Sequence, residues 1–335
     1  MLERLLIVGL GSIGRRHARL ARSLVPGTQI AVLRRADSGE SEPSIDRCFT
    51  SLAAALEFRP QAAVIAGPAT HHVETASALA RAGAHLLVEK PISDTNRGVT
   101  ELIADCRSRG LTLMTGYNLR FLPSLRRFRE LVAARRIGRV LSVRAEVGQF
   151  LPQWRPQSDY RQTVSAKASL GGGVLLEVSH EIDYLRWIFG EVSWVSAVLR
   201  KQSQLEIDVE DTAHLVLGFK GDVAQPVVAA LSMDFVRHDT TRMCTAIGET
   251  GSLRWNAIAG TVEVFEPGAA AWQCLSTDAP QRDESYVAQW RHFLECIASN
   301  ISPAVSGEDG LQVVRIIEAA RESSRTGAMV SLEQA

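Results

Sequence analysis

Short apolar runs alternate with helical stretches through the first 120 residues of the chain. Each run has the length of a buried strand, and the stretches between them show the spacing of helices that pack on a sheet. This alternation is typical of a parallel sheet with helices on both faces. The predicted strands are Leu5 to Val8, Ile30 to Leu33, Ala62 to Ala66, His85 to Val88 and Leu111 to Thr115, and the predicted helices are Arg15 to Leu24, Val73 to Ala82 and Val99 to Arg109.

The pattern changes after Pro123, where one helix, Ser124 to Ala134, precedes a region dominated by alternating strands. Such alternation is typical of a largely antiparallel sheet with one face buried. Two further helices, Tyr286 to Ser299 and Gly310 to Ser324, close the chain. The predicted strands of this region are Val140 to Val147, Val192 to Leu199, Ala213 to Phe219, Val227 to Met233, Met243 to Ile247 and Val262 to Phe265.

A chain of 335 residues exceeds what one hydrophobic core usually holds. We therefore predict an α/β protein with two domains: a Rossmann-type domain over residues 1–120, and an α+β domain with a large, mostly antiparallel open sheet over residues 121–335. The last helix could pack on either domain.

Composition favours a small molecule as the binding partner. Basic and acidic side chains balance at 37 each, so no net charge recruits nucleic acid or an anionic membrane. The N-terminus has too few consecutive apolar residues for a signal peptide, and five scattered cysteines without a Cys-x-x-Cys pair favour neither disulfides nor a metal site. We expect a cytoplasmic protein without a bound metal.

A glycine fingerprint lies between the first predicted strand and helix. In such a motif the first glycine permits a tight turn, the second lets the backbone approach a pyrophosphate, and the third allows close helix packing. This context predicts a dinucleotide site formed by Gly9, Gly11, Ser12, Ile13 and Gly14.

The end of the second strand favours NADP(H) over NAD(H). A carboxylate usually occupies this place when it holds the ribose hydroxyl of NAD, but here Arg34 and Arg35 come first and no carboxylate appears before Asp37. Guanidinium groups suit a 2′-phosphate through charge-assisted hydrogen bonds. The alternative is that both arginines are solvated surface charges.

Two later segments add groups that can assist hydride transfer. Lys90, in Glu89-Lys90-Pro91, could stabilise developing alkoxide charge, unless it only forms a salt bridge to a carboxylate. His180 could exchange a proton, and Glu177 and Asp183, three residues to either side, would share its helical face and orient the imidazole. A purely structural histidine is the alternative.

The segment between Gly148 and Arg161 mixes an aromatic platform with polar groups, which suits the apolar face and hydroxyl rim of a sugar. The candidate substrate contacts are Trp154, Arg155, Tyr160 and Arg161, together with His180. The alternative is a long surface loop pinned by Trp154 and Tyr160.

In this order, these motifs resemble the glucose-fructose oxidoreductase and inositol dehydrogenase family, Gfo/Idh/MocA, over nearly the whole chain. The resemblance rests on the fingerprint and on Ala66 to His72, Glu89 to Pro91, Gly116 to Phe121, Gly171 to Asp183, and Glu210 to Thr212. It implies a homodimer or homotetramer formed through the open sheet. It also implies that Pro68, His72, Glu89, Lys90 and Asn118 border the cofactor, with Lys90 at the reacting oxygen.

One spacing departs from the family's commonest pattern. Only two residues separate Glu177 from His180, where the family usually has three between its carboxylate and histidine. One residue rotates a helical side chain by about 100°, so the carboxylate's register is open unless a bulge or a later helix start absorbs the difference.

The sequence therefore predicts an NAD(P)-dependent dehydrogenase or reductase acting on a carbinol or ketone of a sugar, nucleotide sugar or cyclitol. The alternative is a non-catalytic regulator or scaffold that binds a dinucleotide.

Overall fold

The computed structural model describes residues 2–36, 42–221, 226–279 and 281–332, and its contacts divide the chain into two compact units. The first unit comprises Met1–Tyr117 and Tyr286–Val314, and the second comprises Asn118–Ser285 and Arg315–Ala335. Asp37 lies outside the described residues. Of the described helices, none is both long and apolar enough to cross a membrane.

The first unit is built on a six-stranded parallel sheet with the order β3-β2-β1-β4-β5-β6. Four of the predicted strands and two of the predicted helices form within one residue of their expected bounds. The first helix starts three residues earlier, at Ser12, and the fifth predicted strand starts two residues later, at Leu113. The strands are β1 Arg4–Val8, β2 Gln29–Leu33, β3 Arg47–Phe49, β4 Ala62–Ile65, β5 His85–Val88 and β6 Leu113–Thr115, and the helices are α1 Ser12–Leu24, α2 Leu52–Glu57, α3 His72–Arg81 and α4 Val99–Ser108.

The core of this unit lies between the sheet and its helices. β4 is apolar at every position and β5 is apolar after His85, as expected when both sheet faces are covered. Leu6, Ala63 and Leu86 from three neighbouring strands pack with Leu79 of α3 and Leu102 of α4. The Rossmann-type parallel sheet is thereby confirmed.

The second unit is built on a nine-stranded sheet with the order β14-β13-β12-β11-β7-β10-β9-β8-β15. All described neighbours are antiparallel except β7 and β10, which run parallel, so the mostly antiparallel sheet is confirmed. The strands are β7 Val140–Gly148, β8 Val192–Arg200, β9 Thr212–Phe219, β10 Val228–Asp234, β11 Thr241–Gly248, β12 Gly251–Asn256, β13 Thr261–Phe265, β14 Gln273–Thr277 and β15 Val330–Ser331.

Helices cover one face of this sheet. On α5, Ser124 accepts a hydrogen bond from the indole N–H of Trp255 on β12 at 3.0 Å. Alternate side chains such as Val143, Leu215 and Leu231 are buried on the covered face. The other α-helices among the described residues are α5 Pro123–Ala133, α6 Leu151–Trp154, α7 Val174–Glu177, α8 His180–Phe189, α9 Glu284–Ser299 and α10 Gly307–Thr326.

Candidate functional site

The carboxyl ends of four adjacent strands place the predicted cofactor residues along one edge of the parallel sheet. β1 pairs with β2 on one side and with β4 on the other, and β4 pairs with β5. Backbone hydrogen bonds continue past the strand ends, from Gly9 to Leu33, from Ala66 to Val8 and from Glu89 to Ile65. The strand order reverses between β1 and β4, and ligands bind at such a point in open α/β sheets.

The three fingerprint glycines meet different demands. Gly9 has φ +86°, which L side chains rarely adopt. A Cβ on Gly14 would lie 2.0 Å from the carbonyl oxygen of Gly9, so helix and strand could not approach as they do. Space is open where a Cβ on Gly11 would point, at the N-terminus of α1. Backbone N–H groups there can face an anion, so the loop fits a pyrophosphate.

Arg34 and Arg35 directly follow β2. The Arg34 backbone N–H donates to Phe49 O at 3.0 Å, and its Nε donates to Cys48 Sγ at 3.2 Å. Arg34 is partly buried and Arg35 is exposed. Arg34 and Arg35 thus lie in the segment that follows β2, next to the glycine loop, whose Gly9 N–H donates to Leu33 O.

His72 joins two loops at this edge. Its Nδ1 lies 3.0 Å from Pro91 O and its Nε2 lies 2.9 Å from Gly67 O, which links the Lys90 loop to the loop after β4. Burial lowers the pKa of His72 even though both backbone hydrogen bonds act in the opposite direction. Pro68 opens the short turn that leads into α3, whose first residue is His72.

Glu89 is buried beside Lys90, and its carboxylate contacts one imidazole and one backbone amide. One carboxylate oxygen lies 2.7 Å from His17 Nε2, and the other accepts the backbone N–H of Lys90 at 3.2 Å. Trp290 of α9 donates its indole N–H to His17 Nδ1 at 2.9 Å. Sequence reasoning missed His17 and Trp290; the signal available was a histidine on the apolar face of α1.

Asn118 begins the second unit, where its side-chain amide donates to Ser285 Oγ at 2.7 Å. The amide is buried, and a partner for it is expected.

The glycine run before His180 bends the backbone sharply. Gly171 and Gly173 have φ +77° and +102°, and a Cβ on Gly173 would lie 2.4 Å from Glu210 Oε1. Glu210 caps the short helix α7 by accepting the N–H of Leu175 with its side chain and that of Val174 with its carbonyl. Burial raises the pKa of Glu210 despite these contacts.

The expectation that Glu177, His180 and Asp183 share one helical ridge is wrong. Helix α7 ends at Glu177, and α8 begins at His180. Val178 and Ser179 thus separate the helix that carries the carboxylate from the helix that carries the histidine. Glu177 accepts a hydrogen bond from Ser165 Oγ at 2.9 Å.

One buried and one partly buried ion pair fix the first turn of α8, on which His180 is also buried. Asp183 forms a two-pronged pair with Arg120 at 2.6 and 2.9 Å. Glu181 lies 2.8 Å from Arg242 Nε on β11. These contacts hold the backbone that carries His180.

The segment expected to contact substrate is anchored to the second unit. The indole N–H of Trp154 donates to Gln149 O at 3.0 Å, and the Tyr160 hydroxyl accepts the Glu206 N–H at 3.2 Å. Arg161 pairs with Asp159 and Glu206 at 2.8 and 3.0 Å, while Arg155 is exposed. Trp154 and Tyr160 therefore pin this loop, as the structural alternative expects.

Across the described residues, no group of three or more His, Cys, Asp or Glu side chains is arranged to hold a metal ion.

Two family models cover almost the whole chain. One, described as "Oxidoreductase family, NAD-binding Rossmann fold", matches residues 4–117, and the other, "Oxidoreductase family, C-terminal alpha/beta domain", matches residues 129–332. The chain belongs to the Gfo/Idh/MocA oxidoreductase family. The resemblance seen in the motifs is confirmed, and the first unit contains the NAD-binding fold of these oxidoreductases.

Relatives within the family match along their full length. The chain is 28% identical to "Uncharacterized oxidoreductase YrbE" of Bacillus subtilis, covering 98% of this chain and 96% of that protein. It is 26% identical to the myo-inositol 2-dehydrogenase of Thermotoga maritima, with 98% of each covered. A structure of levoglucosan dehydrogenase in complex with NADH and L-sorbose superposes with a TM-score of 0.86 at 21% identity over 99% of both chains, a likeness that establishes the fold.

Proposed function

We propose that this protein is an NADP(H)-preferring oxidoreductase that acts on a carbinol or ketone carbon of a sugar, nucleotide sugar or cyclitol. The proposal rests on the arrangement at one edge of the parallel sheet. There the glycine loop follows β1 and the Lys90 loop follows β5, and only β4 lies between these two strands. The named activity of the myo-inositol relative supports the substrate class.

The choice of NADP(H) rests on Arg34 and Arg35, which leave the sheet next to the glycine loop. Guanidinium groups form charge-assisted hydrogen bonds to phosphate. We assign both to the 2′-phosphate, with Gly9 to Gly14, Pro68, His72, Glu89, Lys90 and Asn118 forming the rest of the cofactor site.

When bound, the nicotinamide would supply or accept the hydride at the substrate carbon. Lys90 orients the reacting oxygen and stabilises negative charge that develops on it. His180 exchanges the proton of that oxygen. Glu177 and Asp183 are the candidates for the group that orients the imidazole, and Asp183 also fixes α8 through Arg120.

Substrate contacts are assigned to the anchored loop. Trp154 and Tyr160 fix its path, which leaves Arg155 exposed and Arg161 paired with carboxylates. A loop held in this way can present polar groups to sugar hydroxyls without a large ordering cost.

Within this proposal, residues 1–120 bind the cofactor and residues 121–335 bind the substrate and a second copy of the chain. All five cysteines are free thiols, which supports action in a reducing compartment such as the cytoplasm.

The test is a screen of sugars, cyclitols and nucleotide sugars, including myo-inositol and levoglucosan, in which reduced nicotinamide is followed by its absorbance with both cofactors. We expect turnover of at least one member, faster with NADP(H). Tight cofactor binding with no turnover across the panel would instead favour a dinucleotide-binding regulator.

A further inference from the structure

A chain of buried hydrogen bonds runs from α9 to the backbone of Lys90, entirely within the first unit. It consists of Trp290, His17 and Glu89, of which the first two are fully buried and the third is 6% exposed. The links measure 2.9 Å from the indole N–H to His17 Nδ1 and 2.7 Å from His17 Nε2 to Glu89.

The partners determine where the imidazole carries its proton. An indole N–H can only donate, so Nδ1 of His17 must accept and carries no proton. The ring proton is therefore on Nε2, which donates to the Glu89 carboxylate.

Glu89 is held as a carboxylate. Burial alone would raise its pKa, but the hydrogen bond and electrostatic attraction of His17, together with the charge and backbone N–H of Lys90, lower it overall. The carboxylate also packs against Gly116, where an added Cβ would lie 3.1 Å from Glu89 Oε2. Its orientation is thus restricted on several sides.

The Lys90 loop is consequently held at both ends. The second oxygen of Glu89 accepts the Lys90 N–H at 3.2 Å, and the following residue, Pro91, contacts His72 Nδ1 through its carbonyl at 3.0 Å. A side chain that orients a reacting oxygen depends on such support, since a displacement of about 1 Å can cost about 100-fold in rate.

Building on the function assigned to Lys90 above, we propose that His17 and Trp290 are positioning residues: Trp290 fixes the imidazole tautomer, His17 orients the Glu89 carboxylate, and Glu89 sets the backbone of Lys90. Neither His17 nor Trp290 is assigned to contact the cofactor or the substrate.

The small number of lysines allows an NMR measurement that needs no substrate. The chain has only four lysines, Lys90, Lys167, Lys201 and Lys220, so the NMR spectrum of protein labelled with ¹³C at lysine Cε contains four side-chain signals. The Lys90 signal is assigned with Lys90→Met. We expect His17→Leu and Trp290→Phe, in the full chain, to shift or broaden the Lys90 signal while the other three stay unchanged.

Two variants separate positioning from packing. His17→Gln keeps one donor and one acceptor and is expected to restore most of the Lys90 signal position. Phe293→Leu alters an apolar neighbour of Trp290 on α9 without touching the hydrogen bonds, so it is expected to lower stability and leave the Lys90 signal in place.

Turnover of a substrate found in the screen provides the second readout. His17→Leu and Trp290→Phe should lower kcat on the order of 10-fold to 100-fold while the cofactor dissociation constant is unchanged. An unchanged Lys90 signal in His17→Leu overturns the positioning role. If the wild-type protein turns over nothing, the proposed function fails, and the lysine signals still decide the role of His17.

Discussion

At the scale of single residues, the proposed preference for NADP(H) rests on the charge at the end of β2. Arg34→Asp is expected to reverse the preference, because it removes a guanidinium from the 2′-phosphate and offers a carboxylate to the ribose hydroxyl. Loss of one charge-assisted hydrogen bond, about 1.5–3 kcal/mol, corresponds to a fall of about 10-fold to 100-fold in NADPH affinity.

Fluorescence titration with NADPH and NADH measures both affinities. Arg81→Asp is the control. It makes the same charge change in the exposed last turn of α3, at the end of the helix away from His72, and should alter neither affinity. Equal losses for both cofactors, or no change in either, would refute the phosphate role of Arg34.

Residues whose role depends on local backbone could be predicted from the sequence. Gly9 is required by its positive φ and Gly14 by its close approach to Gly9, both within one strand, turn and helix, and the spacing of the glycines indicates this directly. His17, Glu89 and Trp290 meet only after three distant segments fold together, so no local pattern could reveal the hydrogen bonds among them.

At the scale of elements, the cap of α7 has a pH dependence with a defined sign. Burial raises the pKa of Glu210, so the native carboxyl retains its proton to higher pH than in the unfolded chain. The free energy of unfolding therefore falls as pH rises through the native pKa.

Glu210→Gln keeps an oxygen for the Leu175 N–H and removes the buried charge. It should raise the urea midpoint near neutral pH and have a smaller effect at about pH 4, where Glu210 is largely protonated. Glu249→Gln is the control of opposite sign, because hydrogen bonds from Arg139 lower the pKa of Glu249. A gain for Glu210→Gln that is larger at acid pH would contradict this account.

Periodicity predicted the long elements of both units and missed the short ones. β3, α2, β14 and β15 span two to six residues, too few to show a period. The interruption between α7 and α8 was not predicted either. Val178 and Ser179 carry no helix-breaking side chain, and Glu210, which caps α7, belongs to a distant segment of the chain.

At the scale of the whole molecule, one face of the nine-stranded sheet, exposed among the residues that the structure describes, bears on assembly. Val198 on β8 and Val216 on β9 are 51% and 38% exposed on this face, and Ala230 on β10 lies directly beside Val216. Contiguous exposed apolar surface marks association sites. We infer that a second copy of the chain covers it.

Val216→Glu is expected to give a single chain of 36.5 kDa by size-exclusion chromatography with light scattering, where the wild-type protein gives a multiple of that mass. A carboxylate on a buried apolar contact is costly to desolvate. Ile258→Glu, in the exposed turn between β12 and β13, should leave the assembly intact. A wild-type protein that is already a single chain would exclude the assembly.

Comparison of Lys90→Met with the wild-type protein, on the best substrate of the screen, tests the central claim most directly. The variant should bind NADPH with unchanged affinity while kcat falls by about 100-fold to 1,000-fold, the usual effect of removing one group that stabilises developing charge. Wild-type turnover by Lys90→Met would contradict the account.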